Sequence, residues 1–166
     1  MMTPARKTSA PDIRHYQACL KTPFAVLGIR TDGDYLTRIE LLPRKHPTLD
    51  PLTPAAALAC QQLEAYIEDA NFRFTVLLSV EGTLHQMAVW RAMQGIPCGE
   101  TRTYGELARA IKSAPRAVGQ ACGKNPAPII IPCHRIVSST GMGGFMGAQE
   151  GEPIKIKQWL LAHEQY

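Results

Sequence analysis

No long hydrophobic run occurs in this 166-residue sequence. The longest apolar stretch, residues 127–133, contains two prolines, whereas a membrane-spanning helix needs about 20 apolar residues. The first twelve residues also lack an apolar stretch, so we expect no secretory signal there and interpret them as a frayed tail. The sequence therefore predicts a protein without a membrane partner, and its hydrophobic content of 45% suffices for a packed core.

Paired cysteines are missing as well. The five cysteines are odd in number and include no C-x-x-C pair, which argues against a disulfide scaffold or a zinc ribbon. We therefore expect no metal site. A reducing, cytoplasmic location fits this cysteine usage better than an oxidising one.

The first half of the chain has no charge excess, so the net charge of +4 belongs to the second half. Residues 1–82 carry nine basic and nine acidic side chains, whereas residues 83–166 carry nine basic and five acidic ones. Residues 102–135 hold six basic side chains against Glu106 alone. Such focused positive charge favours a polyanion such as DNA, although a solvated basic surface has the same composition.

The first half is typical of a small α/β domain with an antiparallel sheet. Apolar, β-branched runs flank a turn that contains Gly33, which predicts a β-hairpin. Thr53 followed by Pro54 predicts the start of a helix. Because no cluster of reactive side chains occurs here, we interpret residues 1–82 as a structural domain. The predicted strands are residues 14–20, 24–29, 35–42 and 72–78.

The second half, residues 83–166, is mainly helical in pattern. Two short helices separated by a very tight turn are typical of a helix-turn-helix, with an ordinary pair of packed helices as the alternative. The residues expected to cap or open helices are Thr83 with Gln86, Thr103 with Glu106, Ser113 and Pro153. The last helix is expected to bury Ile156, Trp159, Leu160 and His163.

Cys133 follows a proline-rich apolar segment that we expect to be buried, extended and outside any sheet. A buried thiol in apolar surroundings has a raised pKa and is inert, which is the ordinary interpretation of a lone cysteine. Against it, His134 and Arg135 bring charge near the sulfur, and the glycine-rich loop at residues 138–148 gives a ligand access. The pattern makes Cys133 a candidate nucleophile.

A relay that activates this thiol is also suggested by the sequence. Neighbouring side chains of an extended chain point in opposite directions, so we expect His134 not to touch the sulfur of Cys133 directly. A water that bridges the two, and a carboxylate that orients the other ring nitrogen, would complete the relay. Glu164 is a candidate for that carboxylate, although a glutamate in such a position is usually solvated.

The second half of the chain carries a series of short motifs: GETRTYGELA at 99–108, RAVG at 116–119, NP at 125–126, IPCHR at 131–135 and WLLAHE at 159–164. In their matching order and near-matching spacing across residues 83–164, these motifs resemble those of the O6-alkylguanine-DNA alkyltransferases, also called methylated-DNA–protein-cysteine methyltransferases. Over residues 1–82 the resemblance is limited to a plausible layout of strands and a helix.

This resemblance implies an α+β protein of two domains. Residues 1–82 would form a small ribonuclease-H-like domain, and residues 83–166 a winged-helix or helix-turn-helix domain that enters the minor groove of DNA. The protein would bind double-stranded DNA as a monomer, flip the damaged base and use no cofactor. It would transfer the alkyl group of O6-alkylguanine, and also of O4-alkylthymine, to Cys133 irreversibly and once per molecule.

The resemblance also implies roles for individual residues. Arg116 matches the arginine that fills the vacated base stack, Tyr104 the tyrosine that assists flipping, and Asn125 the asparagine that braces the turn near the acceptor. Cys133 would be the acceptor, with His134 and Glu164 as its relay. The other expected DNA contacts are Ala117, Gly119, Lys124 and Arg135, and the other expected pocket residues are Pro128, Ile136, Phe145 and Met146.

The glycine-rich loop departs from the family's pattern, which commonly reads Gly-Tyr-x-Gly-Gly. Phe145 keeps the aromatic ring but lacks the hydroxyl, and Met146 is larger than the usual small residue. We expect Met146 to narrow the pocket and to disfavour bulky alkyl groups. Residues 149–155 look longer than the usual connection, and the zinc ligands of some relatives have no clear counterpart.

Three other functions remain open on the sequence alone. A related DNA-damage binder that does not repair would carry tryptophan in place of Cys133, so the cysteine favours transfer. A helix-turn-helix regulator would need a dimer and a palindromic site. A cysteine hydrolase would need an oxyanion hole, for which the sequence gives no sign.

Overall fold

The computed structural model describes residues 2–4 and 16–165, and the chain divides into two compact units, residues 1–81 and 82–166. The sequence places the boundary one residue later. Most of the tail expected at residues 1–12 lies outside the described residues, but Met2–Pro4 form a short strand, β1. Each unit has its own buried core.

A five-stranded sheet forms the first unit. The strands after β1 are β2 Ala18–Lys21, β3 Val26–Asp32, β4 Tyr35–Leu42 and β5 Leu78–Val80. The order is β1-β5-β4-β3-β2. The predicted hairpin is confirmed as β3 and β4, and Gly33 has the positive φ, +58°, that its tight turn requires. The sheet is mixed, not antiparallel as predicted, because β5 runs parallel to both β4 and β1.

The helix of the first unit begins where the sequence predicts. Helix α1 spans Pro54–Glu68, and the Thr53 side chain accepts a hydrogen bond from the Ala56 amide, 3.1 Å away. The helix packs against β2, β3 and β4 and buries Leu63 and Tyr66. Its polar Gln62 is buried as well.

The strand predicted at residues 72–78 is wrong in extent, since only its last residue belongs to β5. The alternation of buried and exposed side chains is present, but the ladder is not. Instead, the amides of Thr75 and Val76 donate to Gln62 Oε1, at 2.9 and 3.2 Å. A side chain thus satisfies the backbone groups that a neighbouring strand would otherwise bind.

Four helices and a two-stranded sheet form the second unit. The helices are α2 Leu84–Gln94, α3 Tyr104–Ala110, α4 Pro115–Gly123 and α5 Glu152–Gln165. Strands β6 Arg102–Thr103 and β7 Ile136–Val137 pair in parallel. The capping box of Thr83 and Gln86 is confirmed, and Thr103 caps α3 through the Glu106 amide. Within residues 2–4 and 16–165, no helix has the length and apolar character to cross a membrane.

The start of α4 differs from the prediction. Pro115 forces the preceding Ala114 into an extended conformation, so the helix starts at Pro115 and its N-cap, Ala114, makes no side-chain hydrogen bond. Ser113 is one residue too early to cap it. Its hydroxyl instead lies 2.8 Å from Nε2 of His85.

The buried face of α5 is rotated relative to the prediction. Trp159 and His163 are only half-buried and stack on each other, with ring centroids 4.8 Å apart. Polar side chains take part in the buried face because they find partners inside the unit. The buried residues are Ile156, Lys157, Leu160 and Glu164.

Candidate active site

The segment before Cys133 is folded back, not extended as predicted. Asn125, only 2% exposed, donates from Nδ2 to the Ile131 carbonyl (2.7 Å) and accepts from the Ala127 amide (2.9 Å). Ile129 has φ +79°, and residues Cys133–Arg135 form one turn of 3-10 helix. Asn125 therefore holds both ends of the turn that presents Cys133, the position that the resemblance implied.

A groove of about 1120 Å³ opens over Cys133 within the second unit. Cys122, a second thiol, also lines it. Pro128 and Ile136 do not: both are buried and neither lines the groove, so their prediction as pocket residues is corrected. The predicted site residues that line the groove are Tyr104, Arg116, Ala117, Gly119, Lys124, Cys133, Phe145 and Met146.

The thiol of Cys133 is nearly inaccessible. The residue is 3% exposed, and its Sγ lies 3.6 Å from Sδ of Met146. Burial raises the pKa of Cys133 to about 11, although the nearby charge of Lys157 acts in the opposite direction. The resting sulfur is therefore protonated at neutral pH.

His134 is held by a buried carboxylate. Its Nε2 lies 2.7 Å from Oε1 of Glu164, and the His134 side chain is 0% exposed. Burial lowers the pKa of His134 despite the opposing effect of Glu164, so the ring is neutral at neutral pH. Because the ionised carboxylate can only accept a hydrogen bond, Nε2 of His134 carries the ring proton and Nδ1 carries the lone pair. Among the described residues, no group is hydrogen-bonded to Nδ1.

Arg135, which the sequence predicted as a DNA contact, has partners inside the unit. Its Nε and Nη2 donate to Glu164 at 3.0 and 2.8 Å, and its Nη1 donates to the Ile96 carbonyl at 2.6 Å. The guanidinium is thus committed inside the unit. Burial alone would raise the pKa of Glu164, but hydrogen bonds from His134 and Arg135 lower it to about 2. Arg135 therefore keeps the carboxylate ionised and oriented.

Tyr104 lines the groove, and its hydroxyl is a neutral hydrogen-bond donor. Burial raises its pKa to about 12, and its hydroxyl lies 3.5 Å from the Gly144 carbonyl. The ring lies so close to Gly143 that a Cβ there would come within 3.1 Å of it. Gly143 also has φ +74°, so glycine is required on both grounds.

Lys157 is the functional residue that sequence reasoning missed. It is 0% exposed, and its Nζ donates to the carbonyls of Ile136 (2.6 Å), Met142 (2.7 Å) and Gly144 (2.8 Å). The ammonium thus ties the glycine loop to the strand after the acceptor. Burial lowers the pKa of Lys157 to about 8. Its helical spacing with Leu160 and Glu164 was the signal that could have revealed it.

A two-residue turn at the tip of the glycine loop positions Met146. Phe145 and Ala148 exchange both backbone hydrogen bonds, at 2.9 Å each. Between them, Met146 and Gly147 have φ values of +51° and +81°. Such turns favour Asn-Gly, and a left-handed conformation costs a residue with a Cβ about 1–2 kcal/mol. The backbone therefore holds Met146 in a strained conformation with its sulfur against Cys133.

Comparison with known proteins identifies the class. The family described as "6-O-methylguanine DNA methyltransferase, DNA binding domain" matches residues 84–166. A methylated-DNA–protein-cysteine methyltransferase of Methanosarcina mazei is 46% identical over 63% of this chain and 65% of its own length. A constitutive one of Bacillus subtilis is 36% identical over 89% of this chain and 93% of its own.

A solved structure agrees with the sequence matches. The crystal structure of Mycobacterium tuberculosis OGT in complex with DNA superposes with a TM-score of 0.74 at 39% identity, covering 91% of this chain and 92% of the other. The chain therefore belongs to the 6-O-methylguanine DNA methyltransferase family. It is an enzyme of DNA repair, a DNA-binding methylated-DNA–protein-cysteine methyltransferase.

Proposed function

We propose that the protein repairs O6-alkylguanine, and also O4-alkylthymine, by moving the alkyl group to Cys133 irreversibly. One observation carries this proposal: the thiol at the base of a groove is followed by a buried histidine whose second nitrogen is fixed by an ionised carboxylate. Burying ionisable groups is costly. The three buried near this thiol, His134, Lys157 and Glu164, therefore favour a chemical role over an inert structural cysteine.

The groove also supports a mode of DNA binding. Helices α3 and α4 pack together with four residues between them, and we infer that they act as a helix-turn-helix of a winged-helix domain in the minor groove. Arg116 and Lys124 are exposed at the groove, and Arg116 is the second residue of α4. Arg116 would fill the stack that the flipped base leaves. Alkylation at O6 impairs pairing, so a damaged base is cheaper to flip.

Activation of the thiol follows from the state of His134. Its Nδ1 lone pair can take the Cys133 proton through a bridging water, and ionised Glu164 stabilises the imidazolium that forms. Activation alone is a modest contribution, because lowering a thiol's pKa also weakens it as a nucleophile. Positioning the alkyl carbon against the sulfur can contribute about 7–11 kcal/mol in favourable cases.

The transfer itself is a direct displacement. The sulfur of Cys133 forms a bond to the alkyl carbon, the bond from that carbon to O6 breaks, and the electron pair stays on guanine. The proton lost by the thiol returns through the relay to the guanine ring, where a hydrogen bond from Tyr104 stabilises the developing charge. The thioether is stable, so each molecule reacts once and no cofactor is consumed.

The first unit and the molecular setting complete the proposal. Two neutral polar side chains are buried among its described residues, which fits a structural, ribonuclease-H-like domain without chemistry of its own. We infer a monomer in the reducing cytosol, since a reactive thiol would not persist in an oxidising compartment.

The test uses duplex DNA with labelled O6-methylguanine and mass spectrometry of the protein. We expect one added methyl group per molecule, mapped to Cys133, and no reaction with a second equivalent of DNA. Cys133→Ser should bind the DNA without removing the methyl group. The matched control is Cys122→Ser, which alters the other thiol in the groove and should still react. Turnover beyond one equivalent, or repair by Cys133→Ser, would refute the proposal.

A further inference from the structure

Met146 reaches the acceptor thiol from an unfavourable backbone position. Its Sδ lies 3.6 Å from Cys133 Sγ, close enough to accept the weak hydrogen bond of the thiol. Its φ of +51° belongs to the region that favours glycine or asparagine. A side chain kept at such a position despite strain is a sign of a functional constraint.

The contact also lies at the distance from the sulfur at which the reacting carbon must stand. An alkyl carbon about to be displaced stands about 3–3.5 Å from its nucleophile, and the thioether lies 3.6 Å from the sulfur. Met146 and Cys133 both line the groove from which the substrate would enter. With 3% of Cys133 exposed, the methionine must turn aside before any alkyl group can reach the sulfur.

We propose that Met146 is a specificity-determining cap, which covers Cys133 in the resting protein and leaves room at the sulfur only for small alkyl groups once it has moved. The inference rests on the proposed function and deepens it. In a protein that is consumed by one reaction, such a cap protects the thiol from small electrophiles that arrive without DNA. Burial raises the pKa of Cys133, so the covered thiol is protonated at rest.

Two reaction rates test whether Met146 covers Cys133 and limits the size of the alkyl group. The first is the reaction of Cys133 with iodoacetamide in the absence of DNA, in which the sulfur displaces iodide and the thiol proton goes to solvent. Peptide mapping separates Cys133 from the other cysteines. The second is the ratio of the transfer rates from O6-benzylguanine and O6-methylguanine in the same duplex.

Met146→Gly removes both the cap and the backbone strain, so we expect it to fold at least as well as the wild type. We expect the iodoacetamide rate and the benzyl-to-methyl ratio each to rise at least about tenfold, chiefly because the sulfur becomes accessible, since a fall of one pKa unit at the thiol would by itself raise the first rate only about threefold. Met146→Leu keeps the bulk without the sulfur acceptor and should fall between wild type and Met146→Gly. Met142→Ala, in the same loop but outside the groove, is the control and should match the wild type.

The outcomes are distinguishable from failure of the proposed function. Wild-type protein must first take up one methyl group at Cys133 in the same duplex assay, and its failure to do so would refute the transfer itself. If the wild type reacts and Met146→Gly changes neither rate, the cap is refuted. A Met146→Leu variant as open to benzyl groups as Met146→Gly would overturn the selection by size.

Discussion

The two units of the chain bury polar groups in opposite ways. Among the described residues of the first, the buried polar side chains are Thr22 and Gln62, both neutral and both hydrogen-bonded to backbone groups. In the second they are Asn125, His134, Lys157 and Glu164, three of which ionise. Burying ionisable groups is destabilising unless each is paired. Their concentration around one thiol therefore indicates that these residues serve the reaction and not the stability of the fold.

The pairing in the second unit is also more interconnected. Glu164 receives hydrogen bonds from His134 and Arg135, and Arg135 extends to the carbonyl of Ile96. In the first unit, neutral Gln62 binds the backbone of Thr75 and Val76, and the described residues of that unit include no buried charged side chain. Removing a member of the Glu164 network in the second unit should therefore affect the reaction, whereas removing Gln62 in the first unit should affect stability alone.

Glu164→Gln should give the largest effect. A buried carboxylate that balances Arg135 is lost, and removing one partner of such a pair costs about 3–5 kcal/mol of folding free energy. The amide would donate to Nε2 of His134 and so place the ring proton on Nδ1, which removes the base. Loss of general base catalysis slows a reaction roughly 100-fold or more. Urea unfolding and single-turnover methyl transfer measure the two effects.

The pH dependence sharpens this prediction. The wild-type transfer rate should be flat above neutral pH, where His134 is already neutral, and fall in acid as the ring is protonated below its ordinary pKa. In Glu164→Gln the thiol must ionise unaided, so the rate should rise about tenfold per pH unit up to the pKa of Cys133. Glu68→Gln, exposed at the end of α1, is the control. Equal profiles for wild type and Glu164→Gln would exclude the relay.

The same carboxylate predicts acid sensitivity. Its pKa is lowered from 4.5 to about 2, so its stabilisation is complete above the higher value and is lost as the pH falls towards the lower one. The wild type should therefore lose more stability across this interval than Glu164→Gln does.

Lys157→Met should follow in size. It removes three hydrogen bonds to carbonyls but also relieves the burial of a cation, and we expect a net loss of about 2 kcal/mol. Because Nζ ties Met142 and Gly144 to Ile136, the loop should also become more open to proteolysis. Lys155→Met removes an exposed charge two residues earlier and should change stability by less than about 0.5 kcal/mol. Equal effects of both substitutions would contradict the interpretation that Lys157 holds the glycine loop against Ile136.

Local signals account for what the sequence could predict. Gly33 acts through its own backbone conformation, and Thr53 and the Thr83 capping box act through hydrogen bonds to residues three positions away, so their elements are confirmed. The errors occur where a distant partner decides the outcome. Gln62 takes the amides that would have extended β5, and Asn125 folds a segment whose prolines predicted an extended chain.

In the candidate site too, local motifs indicated the reactive residues, whereas the distant partners of Arg135 and Lys157 were not predicted. The motifs indicated Cys133, His134 and Glu164, and the structure brings the latter two into contact across 30 positions of sequence. Arg135 looked like a DNA contact because its three internal acceptors are remote in sequence. Lys157 was missed because a lysine on an apolar face finds its partners only after the loop folds over it.

Arg116→Ala tests whether the groove does more than attract DNA. If the side chain fills the vacated stack, its loss should slow repair of duplex DNA on the order of tenfold, since flipping costs a few kcal/mol. The reaction with free O6-methylguanine base should be unaffected. Arg109→Ala removes an exposed charge outside the groove and should weaken DNA binding only slightly. If Arg116→Ala slowed the reactions of free base and duplex alike, the stacking role would be excluded.

Gln62→Ala is the smallest and most selective change. It leaves the amides of Thr75 and Val76 without their acceptor and also removes the bond from Nε2 to the Thr75 hydroxyl, 2.6 Å long. An unsatisfied buried donor costs about 1–3 kcal/mol, so the midpoint of unfolding should fall. The rate of methyl transfer per folded molecule should not change, because no charge near Cys133 is altered. A slower reaction at equal folded fraction would show that the first unit contributes to the chemistry, and the contrast between the two units would then have to be abandoned.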